Sequence, residues 1–178
     1  MFQKGSLVVY GTNGVYRIND IGAPPDSSIS DKTRQYYQLT PVFGSGTVYI
    51  PVDTKLFIRP VMTRDEAHRL IARIPEISED TCSSRIQRVM TEQYRTSFES
   101  HRNEDLVRLI KTIYVKNQQL RQYGKRPCRT DEQFKHKAEE LLYGELSAVL
   151  DIPYDHVESY IEKEINQLNS HAMKEREE

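Results

Sequence analysis

Between Arg108 and Thr130 the sequence reads RLIKTIYVKNQQLRQYGKRPCRT, with Arg108, Lys111, Lys116, Arg121, Lys125, Arg126 and Arg129 and no carboxylate. Lysine and arginine at such density neutralise phosphates. A merely solvated helix face ordinarily mixes signs, because opposite charges three or four residues apart attract and like charges repel. The missing acids therefore point to an anionic partner, with nucleic acid as the first expectation. Upstream, Arg85, Arg88, Arg95 and Arg102 recur three or seven residues apart, a spacing that gathers them on one flank of a helix. Two such flanks can line one groove. Arg85, Arg88, Arg95, Lys111, Lys116, Arg121, Lys125 and Arg126 are accordingly the expected contacts to DNA backbone, and such contacts carry little sequence preference.

Other chemistries lack their residues. The five histidines, His68, His101, His136, His156 and His171, form no HExxH and stand beside no cysteine at metal-ligand spacing. Cys82 and Cys128 have no CxxC spacing and read as thiols rather than a bridge. The GKR at 124–126 is no phosphate loop, because GxxxxGK[ST] is absent and Pro127 breaks the helix start that motif requires. No GxSxG elbow occurs, and the many carboxylates of 131–168 do not single out an acid and base pair. The expectation is a protein that is not an enzyme and takes no metal or cofactor.

The net charge of −1 over 178 residues hides a strong segregation. Residues 1–60 hold six cations against four acids, 61–130 fourteen against nine, and 131–178 five against thirteen. The anion-seeking part is the middle. The opening MFQKGSLVVYGTNG has no cationic leader before an apolar core, and no run reaches the roughly 18 apolar residues of a membrane helix. A cytoplasmic protein is expected.

The elements that must position these residues change period near Pro60. From Ser6 to Pro60, SLVVY, GVYRINDI, RQYYQLTPV, TVYIPV and LFIRP read as five strands. Asn13-Gly14 makes a hairpin turn between the first two. Five short strands without room for crossover helices predict a small antiparallel barrel of the Tudor or SH3 type. Strand alternation sends Tyr36 and Tyr37 to opposite faces, so at least one is expected to be exposed. Beyond Pro60 the spacing predicts helices near 64–73, 82–101, 104–123, 131–150 and 154–168, with capping boxes at Thr63–Glu66 and Thr130–Gln133. On the third helix Leu106, Leu109, Ile110, Ile113 and Leu120 form the apolar stripe, with Arg108, Lys111 and Lys116 expected to project away from it. The fold class is α+β: a β-domain at 1–60, an all-α bundle at 61–170 and a frayed polar tail at 171–178.

FQKGSLVVYGTNGVYRI, TVYIPVD, LIKTIYVKNQQL and AEELLYGELSAVLDIP, in this order, resemble the CarD/CdnL family of bacterial transcription regulators through about residue 168. The resemblance implies a Tudor-like amino-terminal domain, shared with the transcription-repair coupling factor, that docks on the RNA polymerase β subunit. It also implies a helical domain that contacts promoter DNA at the upstream edge of the −10 region and stabilises the open complex. Carried over by position, Thr47, Val48, Tyr49, Ile50 and Pro51 match the segment that lies against polymerase. Tyr49 stands where many members carry a basic residue. Well-studied members insert a tryptophan wedge beside the minor groove; this chain has no tryptophan, and Cys82 to Ser84 stand at that place. A second reading is a polymerase-binding adaptor whose cations meet an acidic protein and never DNA.

Overall fold

The computed structural model describes residues 1–24, 34–80 and 87–174. Their contacts divide the chain into two units, Met1–Met62 and Thr63–Glu178. The layout is α+β, an antiparallel sheet followed by five helices.

In the first unit β1 (Leu7–Tyr10), β2 (Val15–Gly22), β3 (Tyr36–Pro41), β4 (Val48–Pro51) and β5 (Ile58–Pro60) form one sheet in the order β4-β3-β2-β1-β5. All the described pairings are antiparallel. One face carries the core: Val8, Ile18, Tyr37, Leu39 and Ile50 are buried there, with Tyr10, Tyr16, Ile21, Val48 and Ile58 packed around them. The alternation survives along β2 because the register shifts between Ile18 and Asp20. That extra residue, Asn19, is a bulge, and it returns Ile21 to the face that Ile18 occupies. Edge strands β4 and β5 both contribute to the same cluster.

The hairpin turn expected at Asn13-Gly14 forms, and one expectation for this unit is corrected. The β1–β2 turn spans Gly11–Gly14, closed by the Tyr10 N–H on Gly14 C=O at 3.0 Å and the Asn13 N–H on Tyr10 C=O at 2.9 Å. Gly11 and Gly14 take the positive φ, at 50° and 99°, so Asn13 needs none. Tyr36 and Tyr37 do lie on opposite faces, yet both are buried, at 7% and 2% exposure. The face opposite the main core is covered at Val9, Val15 and Tyr36.

The second unit holds α1 (Arg64–Arg73), α2 (Gln87–Glu99), α3 (Asn103–Gln122), α4 (Arg129–Leu150) and α5 (Val157–Lys174), with 3-10 turns at Ile74–Glu76 and Tyr154–His156. The Thr63 hydroxyl accepts from the Glu66 N–H, and the Glu66 carboxylate accepts from the Thr63 N–H at 2.7 Å, the reciprocal capping box the sequence predicts. Helix α4 packs against each of the other four. Its buried Ala138, Leu141, Leu142, Leu146 and Leu150 centre the bundle.

The capping box expected at Thr130 does not form. Helix α4 begins at Arg129 with Cys128 as its N-cap and no side-chain cap, so Thr130 is already inside the helix. Helix α5 stays helical to Lys174, into the segment expected to fray. Cys82 to Ser84, the place of the wedge, and Arg85 lie outside the described residues.

Candidate functional site

The sheet order leaves β4 at an edge, hydrogen-bonded to β3 on one side only. Its register pairs Leu39 with Val48, Gln38 with Tyr49, Tyr37 with Ile50 and Tyr36 with Pro51. The next pair in that register is bonded, since the Val52 N–H donates to Gln35 C=O at 3.0 Å. Bonded and non-bonded pairs alternate in an antiparallel ladder. Val48 and Ile50 therefore spend their main-chain groups on β3, while Tyr49 turns its N–H and C=O to the open side. Side chains divide the same way: Val48 and Ile50 join the core, and Tyr49 takes the opposite face. With Thr47 exposed just ahead of it, the strand offers a template for a further strand.

The cations of the second unit are not one set. Lys111 donates to Ile74 C=O at 3.0 Å and also to Ile77 C=O, closing the exit of α1. Lys116 stands 2.6 Å from the carboxylate of Asp131, which is wholly buried, and its own side chain is only 23% exposed. Neither Asp131 oxygen has a directed hydrogen bond, so the ion pair and the first turn of α4 hold this charge. The inward turn of Lys116 follows from its position: it comes seven residues after Leu109, which is buried, and so shares that face of α3. Projection of Lys111 and Lys116 away from the core is thereby corrected. Arg108 is held by Asp105, and by Asp80 at 3.8 Å.

On α2, Met90 and Tyr94 are buried, with the Tyr94 ring 5.4 Å from that of Phe134 on α4. Arg88 and Arg95 lie on the other side of α2, exposed, with Arg95 3.5 Å from Glu92. Among the described residues Lys111 and Lys116 are thus withdrawn from the groove that both sets of cations were expected to line. What remains is the carboxyl end of α3 and the turn into α4. There Arg121, Lys125, Arg126 and Arg129 are exposed, and no ion pair among the described residues engages them.

The carboxylates nearest in sequence to this corner are engaged elsewhere: Asp131 is buried, and Glu132 is exposed but hydrogen-bonded. Asp131 pairs with Lys116, and Glu132 accepts from the Asn117 amide at 2.7 Å. Sequence spacing alone could have flagged Lys116, through its heptad relation to Leu109. It held no signal for the inward turn of Asp131, an ionisable residue in a helix's first turn.

Among the described residues no three of His, Cys, Asp and Glu gather as a metal-ligand set. No described helix is long and apolar enough to cross a membrane. No curated protein matches the chain in a comparison of sequences. Residues 2–62 match the family model of the CarD-like/TRCF RID domain. Residues 2–62, nearly the whole of the first unit, are thus similar to an RNA polymerase-interacting domain of the CarD-like/TRCF RID type.

Proposed function

We propose that the chain is a bacterial, cytoplasmic transcription regulator that docks on the β subunit of RNA polymerase and touches promoter DNA near the upstream edge of the −10 region, stabilising the open complex. The observation that carries this is the family match over residues 2–62, joined to a β4 whose main chain is open on one side. In this reading the sheet is a Tudor-like barrel, and Thr47, Val48, Tyr49, Ile50 and Pro51 lie along the β subunit. Tyr49 supplies the outward N–H and C=O for strand addition. The residue carries no charge, so main-chain bonds and apolar contact supply the attraction.

The DNA contact falls to Arg121, Lys125 and Arg126, with Arg88 and Arg95 on α2. Lys111 and Lys116 serve the fold instead. Tethering to polymerase raises the local concentration of the helical unit, so weak backbone contacts suffice and the free protein binds DNA poorly at physiological salt. Charge reversal at Arg121, Lys125 and Arg126 is expected to shorten the lifetime of the open complex while leaving polymerase pull-down unchanged. Loss of pull-down in that variant would instead favour the adaptor reading. An unchanged open-complex lifetime would remove promoter contact from the account.

A further inference from the structure

The corner between α3 and α4 carries an aromatic ring that neither the core nor the expected phosphate contacts account for. Tyr123 is 79% exposed, the most open aromatic side chain among the described residues, and it occupies the C-cap of α3. The backbone under it is fixed. The Lys125 N–H donates to Leu120 C=O at 2.8 Å and the Gly124 N–H to Arg121 C=O at 3.0 Å, with Gly124 at φ 67°. These two bonds are a Schellman motif, which satisfies the last carbonyls of the helix and sets the direction of the chain as it leaves. Pro127 restrains the turn further before α4 begins at Arg129. A ring held on so settled a backbone loses little conformational freedom when it meets a flat partner.

Its surroundings select that partner. Arg121 and Lys125 stand two residues to either side of Tyr123, Arg126 follows, and all three are exposed. None has an ion pair among the described residues, and the two acids that could neutralise them are turned onto Lys116 and Asn117. Tyr114, 55% exposed, lies seven residues before Arg121 on the same face of α3, about 10 Å along the axis. Cations alone would suit any polyanion. An open ring among them suits one whose flat faces are uncovered, and in a duplex each base is covered by its neighbours, whereas an unpaired base is not.

We infer that the α3–α4 corner binds single-stranded DNA, with Tyr123 stacking on an unpaired base while Arg121, Lys125 and Arg126 hold the phosphates beside it. This rests on the nucleic-acid reading of the helical unit and not on polymerase docking. The corner engages the strand exposed when duplex opens, which adds a preference for the opened state that backbone contacts to duplex cannot give.

The test is fluorescence anisotropy of a labelled 20-nucleotide oligo-dT and of a 20-base-pair mixed-sequence duplex with the full-length chain at low salt. The expected result is tighter binding to oligo-dT than to duplex, weakened about 5- to 100-fold by Tyr123→Ala and kept within about twofold by Tyr123→Phe. Duplex binding should be indifferent to both substitutions and should fall, together with oligo-dT binding, in the Arg121→Ala, Lys125→Ala, Arg126→Ala variant. Since Tyr123 makes no core contact, an unchanged thermal melt of Tyr123→Ala serves as the folding control. Equal affinity for the two DNAs with no effect of Tyr123→Ala would overturn the inference and leave the duplex reading standing. Tyr123-dependent oligo-dT binding without measurable duplex binding would do the reverse. No oligo-dT binding at low salt, or displacement by polyglutamate as effective as by unlabelled oligo-dT, also overturns it.

Discussion

Two lysines of α3, Lys111 and Lys116, show how much a single position decides. Lys116 belongs by composition to the basic stretch, yet its 2.6 Å contact with Asp131 makes it part of the interior. Removing one partner of a buried pair leaves the other charge uncompensated. Lys116→Met is therefore expected to lower stability by about 3–5 kcal/mol in urea unfolding, and Lys116→Met with Asp131→Leu to recover most of that loss. Had the lysine faced a phosphate, the single substitution would leave the melt alone. Tyr143 gives a second test. Burial first, then the charges of Glu139, Glu158, Tyr154 and Glu162, raise its phenol above the usual tyrosine value. The fold favours the neutral form, so the stability this group contributes is intact below about pH 10 and lost as the pH climbs beyond it. Tyr143→Phe should flatten the alkaline fall in melting temperature. Residues of this kind were poorly legible in the sequence, because the direction of one side chain depends on a neighbouring helix that spacing does not reveal. The exposed cations at Arg121, Lys125 and Arg126 needed only helix phase and a glycine, and those the sequence supplies.

Elements were far more legible than contacts. Four of the five strands fall within the runs read from β-branched and aromatic residues, β2 running one residue past its own to Gly22, and α1 has the bounds expected, 64–73, with its start at the capping box. The failures have local causes. Thr130–Gln133 has the composition of a cap, but α4 begins at Arg129, ahead of it, and that early start carries Asp131 inward to meet Lys116. Both tyrosines of β3 are buried because the sheet is covered on both sides there, a fact about neighbours that alternation cannot express. The edge position of β4 was likewise invisible until strand order was known. It supports a prediction at this scale: Tyr49→Pro deletes an N–H that the β3–β4 ladder does not use, as edge strands tolerate. Its pull-down of polymerase should fall at least tenfold with a melting temperature within a few degrees of the parent, whereas Tyr49→Lys should retain or strengthen binding. Retention of full binding by Tyr49→Pro would exclude strand addition at this edge.

At the scale of the whole chain the two units keep separate cores, the first centred on Val8, Ile18, Tyr37, Leu39 and Ile50. Small domains of this length often fold alone, though with a thin margin. Residues 1–62 expressed without the helices should show one cooperative urea transition and retain polymerase in a pull-down, and a fragment that stays unfolded would mean that the sheet depends on the remainder of the chain. The engagement of Asp131 by Lys116 and of Glu132 by Asn117 has a practical outcome as well. A molecule of formal charge −1 and isoelectric point near 6.5 would be expected to pass a cation exchanger at neutral pH. Because these two acids are engaged by Lys116 and Asn117, while Arg121, Lys125 and Arg126 are exposed and Glu140, Glu158 and Glu162 are exposed on α4 and α5, the protein offers both signs of charge to a resin. It should adhere to heparin and to a quaternary-ammonium column alike, eluting from each with added salt.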